Sequence, residues 1–474
     1  MSMFRSLACA LALAAAAHAQ AQAQAPATIR VDYIHSGNAL AEQYAIERVL
    51  VEPLPWPGDL AHNLDTTERG QNKLEVVDAK TGDLLYSRGF STVFGEWRST
   101  DEATKISRGF HESVRFPRQD KPVRVRILKR DERNQFSVAW SVDVDVDAPE
   151  VIRKQGPAPA PLIPIRVSGP SPRKVDLLIL GDGYTGADMQ KFEADARRLA
   201  DHLFAVAPFR QRAGDFNVWA MAVPTQESGV SRPSTGVHHA SALGARYDIF
   251  GSERYVLTLD NRALRDIAQY APYEFIEILV NNDTYGGGGI FGQFSTAAAS
   301  NDWANYLFVH EFGHHFAGLA DEYYTSPVAY QSSSARPEPW EPNVTALRDP
   351  ARLKWRQYVK AGTPLPTPWP KAAYDEHARA YQARRVALRA ANRPESETSA
   401  LFREDLEYSN ALFSAAPYRH AIGAFEGANY EANGYYRPQL QCIMFDRSET
   451  FCDICQEAII TIIDLYAPQQ GRKP

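Results

Sequence analysis

The 474-residue sequence predicts an α+β protein, an N-terminal antiparallel β-sandwich followed by an α/β domain with a helical insertion. Three observations carry that reading. Residues 27–150 alternate apolar and polar positions at period two, as half-buried strands do. Residues 155–172 contain Pro157, Pro159, Pro161, Pro164, Pro170 and Pro172, a density that favours an extended, semi-rigid segment. Beyond 173, short apolar runs alternate with amphipathic helical stretches, the pattern of an α/β domain.

The elements follow in chain order. Arg5, the apolar run Leu7 to Ala17 and the small-x-small triplet Ala17-His18-Ala19 have the layout of a cleaved export signal over residues 1–19. The expected location is therefore secreted or periplasmic. No later run reaches the roughly 20 apolar residues of a membrane span, so no transmembrane segment is expected. In the sandwich domain (27–150), Ile29 to Tyr33, Val123 to Ile127 and Val142 to Val146 alternate cleanly, and Thr81-Gly82-Asp83 marks a turn. Asp143, Asp145 and Asp147 imitate the start of a calcium loop. However, Ala148 replaces its turn glycine and Lys154 its bidentate acid, so they are expected on the solvent face of a strand.

A linker over 151–172 leads into a domain spanning 173–470. Val175 to Leu180, Phe216 to Val223 and Phe275 to Val280 read as buried strands, and Met189 to Phe204 as an amphipathic helix. A Pro-rich loop and charged, Ala-rich helices around Tyr374 to Arg393, ended by Pro394, form an insertion at about 326–420. Hydrophobic residues at 44% and charged residues at 23% fit a folded globular chain. A formal charge of -6 with no Lys/Arg block argues against a nucleic-acid partner. Composition leaves the oligomeric state open.

Gly181-Asp182-Gly183-Tyr184-Thr185-Gly186 satisfies the dinucleotide fingerprint between a strand and a helix. Asp182 would place a carboxylate where a pyrophosphate should sit, and no acidic residue follows on a suitable second strand. The segment is expected to be a tight turn, with Thr185 capping the next helix and Asp188 completing a near capping box.

The chemistry concentrates in His310-Glu311-Phe312-Gly313-His314. At about 100° per residue, His310 and His314 lie about 40° apart on one helix face, one turn apart. Their imidazoles can share an ion about 2 Å from each. Glu311 stands beside that ion without binding it, placed to take a proton from a water and deliver it to a leaving amine. Apolar Tyr306 to Val309 run into the motif, so the helix is buried. Gly318 can end it in a left-handed conformation. Asp321 and Glu322 follow, and adjacent residues of an extended segment point to opposite sides, so only one should face the ion. This pattern indicates a metal-dependent hydrolase. The competing reading is an exported protein- or glycan-binding protein with a structural metal, which would have no use for Glu311.

The arrangement resembles the metzincin zinc peptidases, with Gly318 and Asp321 each one residue later than in their motif. The whole chain is more similar to the bacterial IgA-metallopeptidase family (metallopeptidase family sixty-four). The matching segments include Phe94-Gly95-Glu96-Trp97, Gly251 to Tyr255, Tyr285 to Ile290, Gly318 to Tyr323, Phe425 to Ala428 and Tyr436-Arg437-Pro438. The resemblance implies a secreted zinc endopeptidase acting on protein or peptide substrates; it does not make immunoglobulin the substrate. It further implies Zn2+ held by His310, His314 and Asp321, Glu311 as base, and Met444 as the methionine turn beneath the metal. Glu322 is the competing ligand, and His315 is expected in a supporting or surface position.

Tyr285, Gly286, Gly287, Gly288 and Gly289 are expected to form an edge to which an extended substrate adds a strand. Tyr435 or Tyr436 could donate a hydrogen bond to the developing oxyanion. Cys452-Asp453-Ile454-Cys455 could suggest a redox or second metal site, but with Cys442 near in sequence two of the three are expected to pair in an oxidising compartment, pinning the methionine turn.

Overall fold

The computed structural model describes residues 25–326 and 336–468, so the expected signal segment and part of the Pro-rich loop lie outside the described residues. The first part contains β1 (Ala27–Gly37), β2 (Glu42–Pro55), β3 (Asn72–Asp78), β4 (Leu84–Phe90), α1 (Val93–Arg98), β5 (Arg108–Pro117), β6 (Val123–Arg130), β7 (Phe136–Val144) and β8 (Ile152–Arg153). They form two four-stranded sheets, ordered β5-β1-β2-β8 and β4-β3-β6-β7. Ile29, Val31 and Tyr33 of one sheet meet Leu74, Val76, Val125 and Ile127 of the other in a single core, which is what period-two alternation provides. Asp143 pairs with Arg124 across β6 and β7, 2.7 Å apart.

The second part adds β9 (Ile163–Arg166), β10 (Val175–Asp182), α2 (Met189–Leu203), β11 (Phe216–Ala222), β12 (Ala245–Arg246), β13 (Leu257–Thr258), α3 (Asn261–Ala268), β14 (Phe275–Val280), β15 (Gly287–Ile290), β16 (Phe294–Ala298) and α4 (Ala304–Ala317). A six-stranded sheet runs β15-β16-β14-β10-β11-β9, parallel through its centre with β15 and β9 antiparallel at the edges. The expected linker is thus extended but not free: β8 pairs with β2, and β9 with β11.

The fingerprint-like segment is a packed turn. Asp182 is fully buried and accepts from Leu243 N, Ala245 N and Ser241 Oγ at 2.8–2.9 Å. Thr185 and Asp188 form a capping box. A Cβ on Gly183 would stand 2.5 Å from Gly229 O.

The chain closes with α5 (Lys371–Ala390) and α6 (Glu395–Ser414), joined near Pro394, then the hairpin β17 (Phe425–Ala428) and β18 (Glu431–Arg437), and α7 (Asp453–Tyr466). Helix α4 is enclosed by β15 and β16 on one side and by α2 and α7 on others. That enclosure explains why it is apolar nearly all round. Among the described residues no helix is long and apolar enough to cross a membrane.

The polar face of β1, β2 and β5, which alternation alone would assign to solvent, is covered by α3. Arg30 and Asp32 are fully buried; Arg30 and Arg48 pair with Asp266, and Asn261 donates to Ser113 Oγ at 2.8 Å. Arg69, from the sandwich, reaches further and donates from one nitrogen to Ala317 O and Ala458 O, both at 2.9 Å. The first of these is an end carbonyl of α4, where a cation also complements the helix dipole. Arg69→Ala would leave two buried carbonyls without this donor. We expect a loss of about 3 kcal/mol, read as a lowered denaturant midpoint.

Candidate active site

Helix α4 carries His310, Glu311 and His314 into a cleft and stops at Gly318, whose φ of 61° is left-handed. A Cβ there would also meet the Trp340 ring at 2.7 Å. The stop turns the chain back, so that Leu319 and Asp321 face the helix they have just left.

His310 and His314 approach through their Nε2 atoms, 3.2 Å apart. Asp321 Oδ1 lies 3.1 Å from the first and 3.3 Å from the second. For a metal bonded about 2.0–2.1 Å from each donor, a tetrahedral site needs donors about 3.3 Å apart. The three atoms are spaced to that edge length.

The imidazole orientations are fixed from behind. His310 Nδ1 lies 2.9 Å from Ile443 O, and His314 Nδ1 lies 2.6 Å from Leu319 O. A carbonyl only accepts, so each Nδ1 carries the proton and each Nε2 presents a lone pair. Burial works against charge on Asp321, yet the imidazoles of His314 and His310 outweigh it and hold the carboxyl well below its usual range. Burial likewise opposes charge on His314, but Asp321 pushes its pKa up to about 9. The cluster therefore attracts positive charge, which a divalent cation can satisfy while displacing the proton.

Glu311 is buried alongside. Burial raises its pKa, against the lowering effect of His310 and His314. Its carboxylate rests against β15: a Cβ on Gly287 would stand 3.2 Å from Glu311 Oε1. Glycine is needed again at 289, where a Cβ would meet Glu311 O at 2.5 Å and His314 Cβ at 2.8 Å. The glycine run lets the sheet edge lie directly on the motif helix.

The expected edge segment is shorter than its sequence suggested. Tyr285 and Gly286 precede β15, and Tyr285 packs its ring on Phe402 of α6. Gly287 already uses its N–H and C=O on Arg254 O and Val256 N, each at 3.0 Å. By strand parity the Gly289 N–H and C=O point the same way, and Gly289 lines the cleft.

Met444 is fully buried, with Sδ 3.1 Å from the position of a Cβ on Gly313. Its neighbour Ile443 supplies the carbonyl that orients His310. Glu322 faces away from the histidines, towards Asn343 and Cys455, and its N–H donates to Met444 O at 2.8 Å. His315 is fully buried rather than at the surface. It accepts from Ile276 N and donates to Ile290 O, each at 3.1 Å, and burial lowers its pKa to about 3. It ties α4 to β14 and β15 as a neutral ring.

The oxyanion expectation for Tyr435 and Tyr436 is corrected. Tyr435 donates to Pro337 O at 3.0 Å and lines a neighbouring groove, and Tyr436 pairs through its backbone with Thr345. Both lie on β18, while the turn before it, with Asn429 and Tyr430 at φ of 52° and 63°, reaches the cleft. Besides Tyr255, the phenols there are Tyr430, which donates to Asp321 Oδ2, and Tyr323, nearly parallel to the His310 ring and accepting from Arg254 Nη2 at 2.9 Å. Periodicity could not find Tyr430; the only local signal is the turn-forming Gly427 and Asn429 beside it.

The disulfide expectation is also corrected: Cys442, Cys452 and Cys455 are free and buried. Their sulfurs gather around Glu322 rather than pairing.

The cleft, about 170 Å³, is walled by Arg254, Tyr255, Gly287 to Gly289, Tyr323, Trp340 and Tyr430, with Ser91 and Glu96 contributed by the sandwich side. The family model described as IgA peptidase M64 matches residues 163–463, and that described as the peptidase M64 N-terminus matches residues 21–141. No curated protein matches the chain.

Proposed function

This chain belongs to the IgA peptidase M64 family and is a metallopeptidase acting on protein substrates, and we propose that it is an exported, zinc-dependent endopeptidase with a metzincin-like catalytic domain. The observation that carries the reading is the convergence of His310 Nε2, His314 Nε2 and Asp321 Oδ1 at 3.1–3.3 Å, with Glu311 beside them. These three residues would hold the ion. The donor set, two imidazoles and one carboxylate, suits zinc and leaves a position open. A bound zinc ion supplies Lewis acidity, polarising the scissile carbonyl and making water more acidic.

The remaining chemistry belongs to the chain. Glu311 takes a proton from the attacking water on its carboxylate and returns it to the leaving amine. Ile443 O and Leu319 O keep both imidazoles in the ligating tautomer. Tyr430 steadies the second oxygen of Asp321. Beyond Gly287, Gly289 offers the next outward N–H and C=O of β15, to which an extended peptide can add as a strand, placing its carbonyl over Glu311. The signal-like residues 1–19 support export, to the periplasm or the medium.

The test is chelation. The purified mature protein should lose peptidase activity against a mixture of unfolded proteins when its metal is stripped, and regain it when zinc is returned. Undiminished cleavage by metal-free protein would reject the reading.

A further inference from the structure

Behind the histidine site lies a second convergence of donors that the peptidase chemistry does not use. Cys442, Cys452, Cys455 and Glu322 are all buried, with ligating atoms within 4.8 Å of one another. Cys442 Sγ is 3.7 Å from Cys455 Sγ. Glu322 Oε1 is 3.3 Å from Cys455 Sγ and 3.9 Å from Cys452 Sγ. A tetrahedral ion bonded at about 2.3 Å to sulfur and 2.0–2.2 Å to oxygen needs edges of about 3.8 Å between sulfurs and 3.5 Å between sulfur and oxygen. The three spacings of 3.7, 3.3 and 3.9 Å lie close to those edges. A disulfide would need the sulfurs about 2.05 Å apart.

We propose that Cys442, Cys452, Cys455 and Glu322 hold a second, structural zinc ion. A disulfide would engage two of the sulfurs and leave the third beside a buried carboxylate. Glu322 is 0% exposed, its Oε2 has no hydrogen-bond partner, and no ion pair reaches it among the described residues. A cation at the centre accounts for all four groups at once. Several neighbours would support the deprotonated ligands that a bound metal requires. Cys452 is the N-cap of α7, a position that stabilises thiolates, and its own N–H donates to Cys442 Sγ at 3.2 Å. Asn343 donates to Glu322 Oε1 at 2.9 Å. The buried guanidinium of Arg437 acts on Glu322 through its charge and would offset part of the net negative charge.

With four protein ligands the site is closed, so its role is to hold the catalytic centre in place. It joins three segments. Glu322 adjoins Asp321, Cys442 adjoins Ile443, whose carbonyl orients His310, and Cys452 and Cys455 anchor α7.

This inference stands independently of the peptidase reading, and its test separates the two. Metal-free full-length mature protein is reloaded with cobalt(II), the metal is counted, and the near-ultraviolet spectrum is recorded. Two metal ions per chain are expected, with a sulfur-to-cobalt charge-transfer band that an imidazole and carboxylate site cannot produce. His310→Ala should lose one ion and keep the band. Cys455→Ser, or the gentler Glu322→Gln if the first fails to fold, should weaken or abolish it. Alkylation after denaturation with chelator should modify all three thiols. A wild-type protein with no such band, or with two of the three cysteines joined and only one alkylated, would overturn the proposal whatever the variants do.

Discussion

Glu311→Gln is expected to lower kcat/KM by about 10³-fold, within the range that a lost general base accounts for. Glutamine keeps the shape and volume of the side chain that rests against Gly287, where there is no room for anything larger. The fold should therefore be unchanged. The metal should also stay, because its proposed donors are His310, His314 and Asp321, and Glu311 lies beside them rather than among them. What is lost is a group able to accept a proton from water and return it to the amine. Steady-state kinetics with metal analysis of the same preparation checks both halves. A variant that is inactive because it has shed its metal would assign Glu311 to ligation instead.

The parts of the site legible in the sequence were those with a period. His310, Glu311 and His314 stand on one helix at fixed angular spacing, and a buried helix must present them together. Gly318 was legible for the same local reason, since a left-handed stop needs glycine. The alternation of Asp321 and Glu322 could be foreseen, but which of them faced the histidines followed from resemblance rather than from spacing. Tyr430 was not legible: it meets Asp321 across 109 positions, on a turn that only the β17–β18 hairpin aims at the cleft. Tyr435 and Tyr436 carry the same chemistry but sit on the returning strand. Period two likewise revealed the inner face of the sandwich but misjudged its outer one. A face bearing Arg30, Asp32 and Arg48 reads as solvated until α3 covers it with Asp266 and Asn261. The cysteines misled for a related reason, because pairing is the default for exported thiols and the buried carboxylate that gathers them lies 120 residues away from the nearest.

Asp321→Ala should have an effect on metal binding as large as that of Glu311→Gln on turnover. The side chain supplies one of the three converging donors and the only negative charge among them. Removing it leaves two imidazoles facing each other across 3.2 Å, a pair that binds a divalent cation far less well than the full set. Altering the groups that merely orient ligands typically costs 10–100-fold in affinity or activity, so losing a ligand should cost more than about 100-fold. Tyr430→Phe, which removes the hydrogen bond to Asp321 Oδ2, should fall within that smaller range. Glu322→Ala should cost the histidine site far less than Asp321→Ala, because its carboxylate faces the cysteines. Competition against a chelator, read by the return of peptidase activity, ranks the three variants at the histidine site alone. If Glu322→Ala proved the more damaging there while keeping the sulfur-to-cobalt band, the ligand assignment would pass from Asp321 to its neighbour while the role of Glu311 stood.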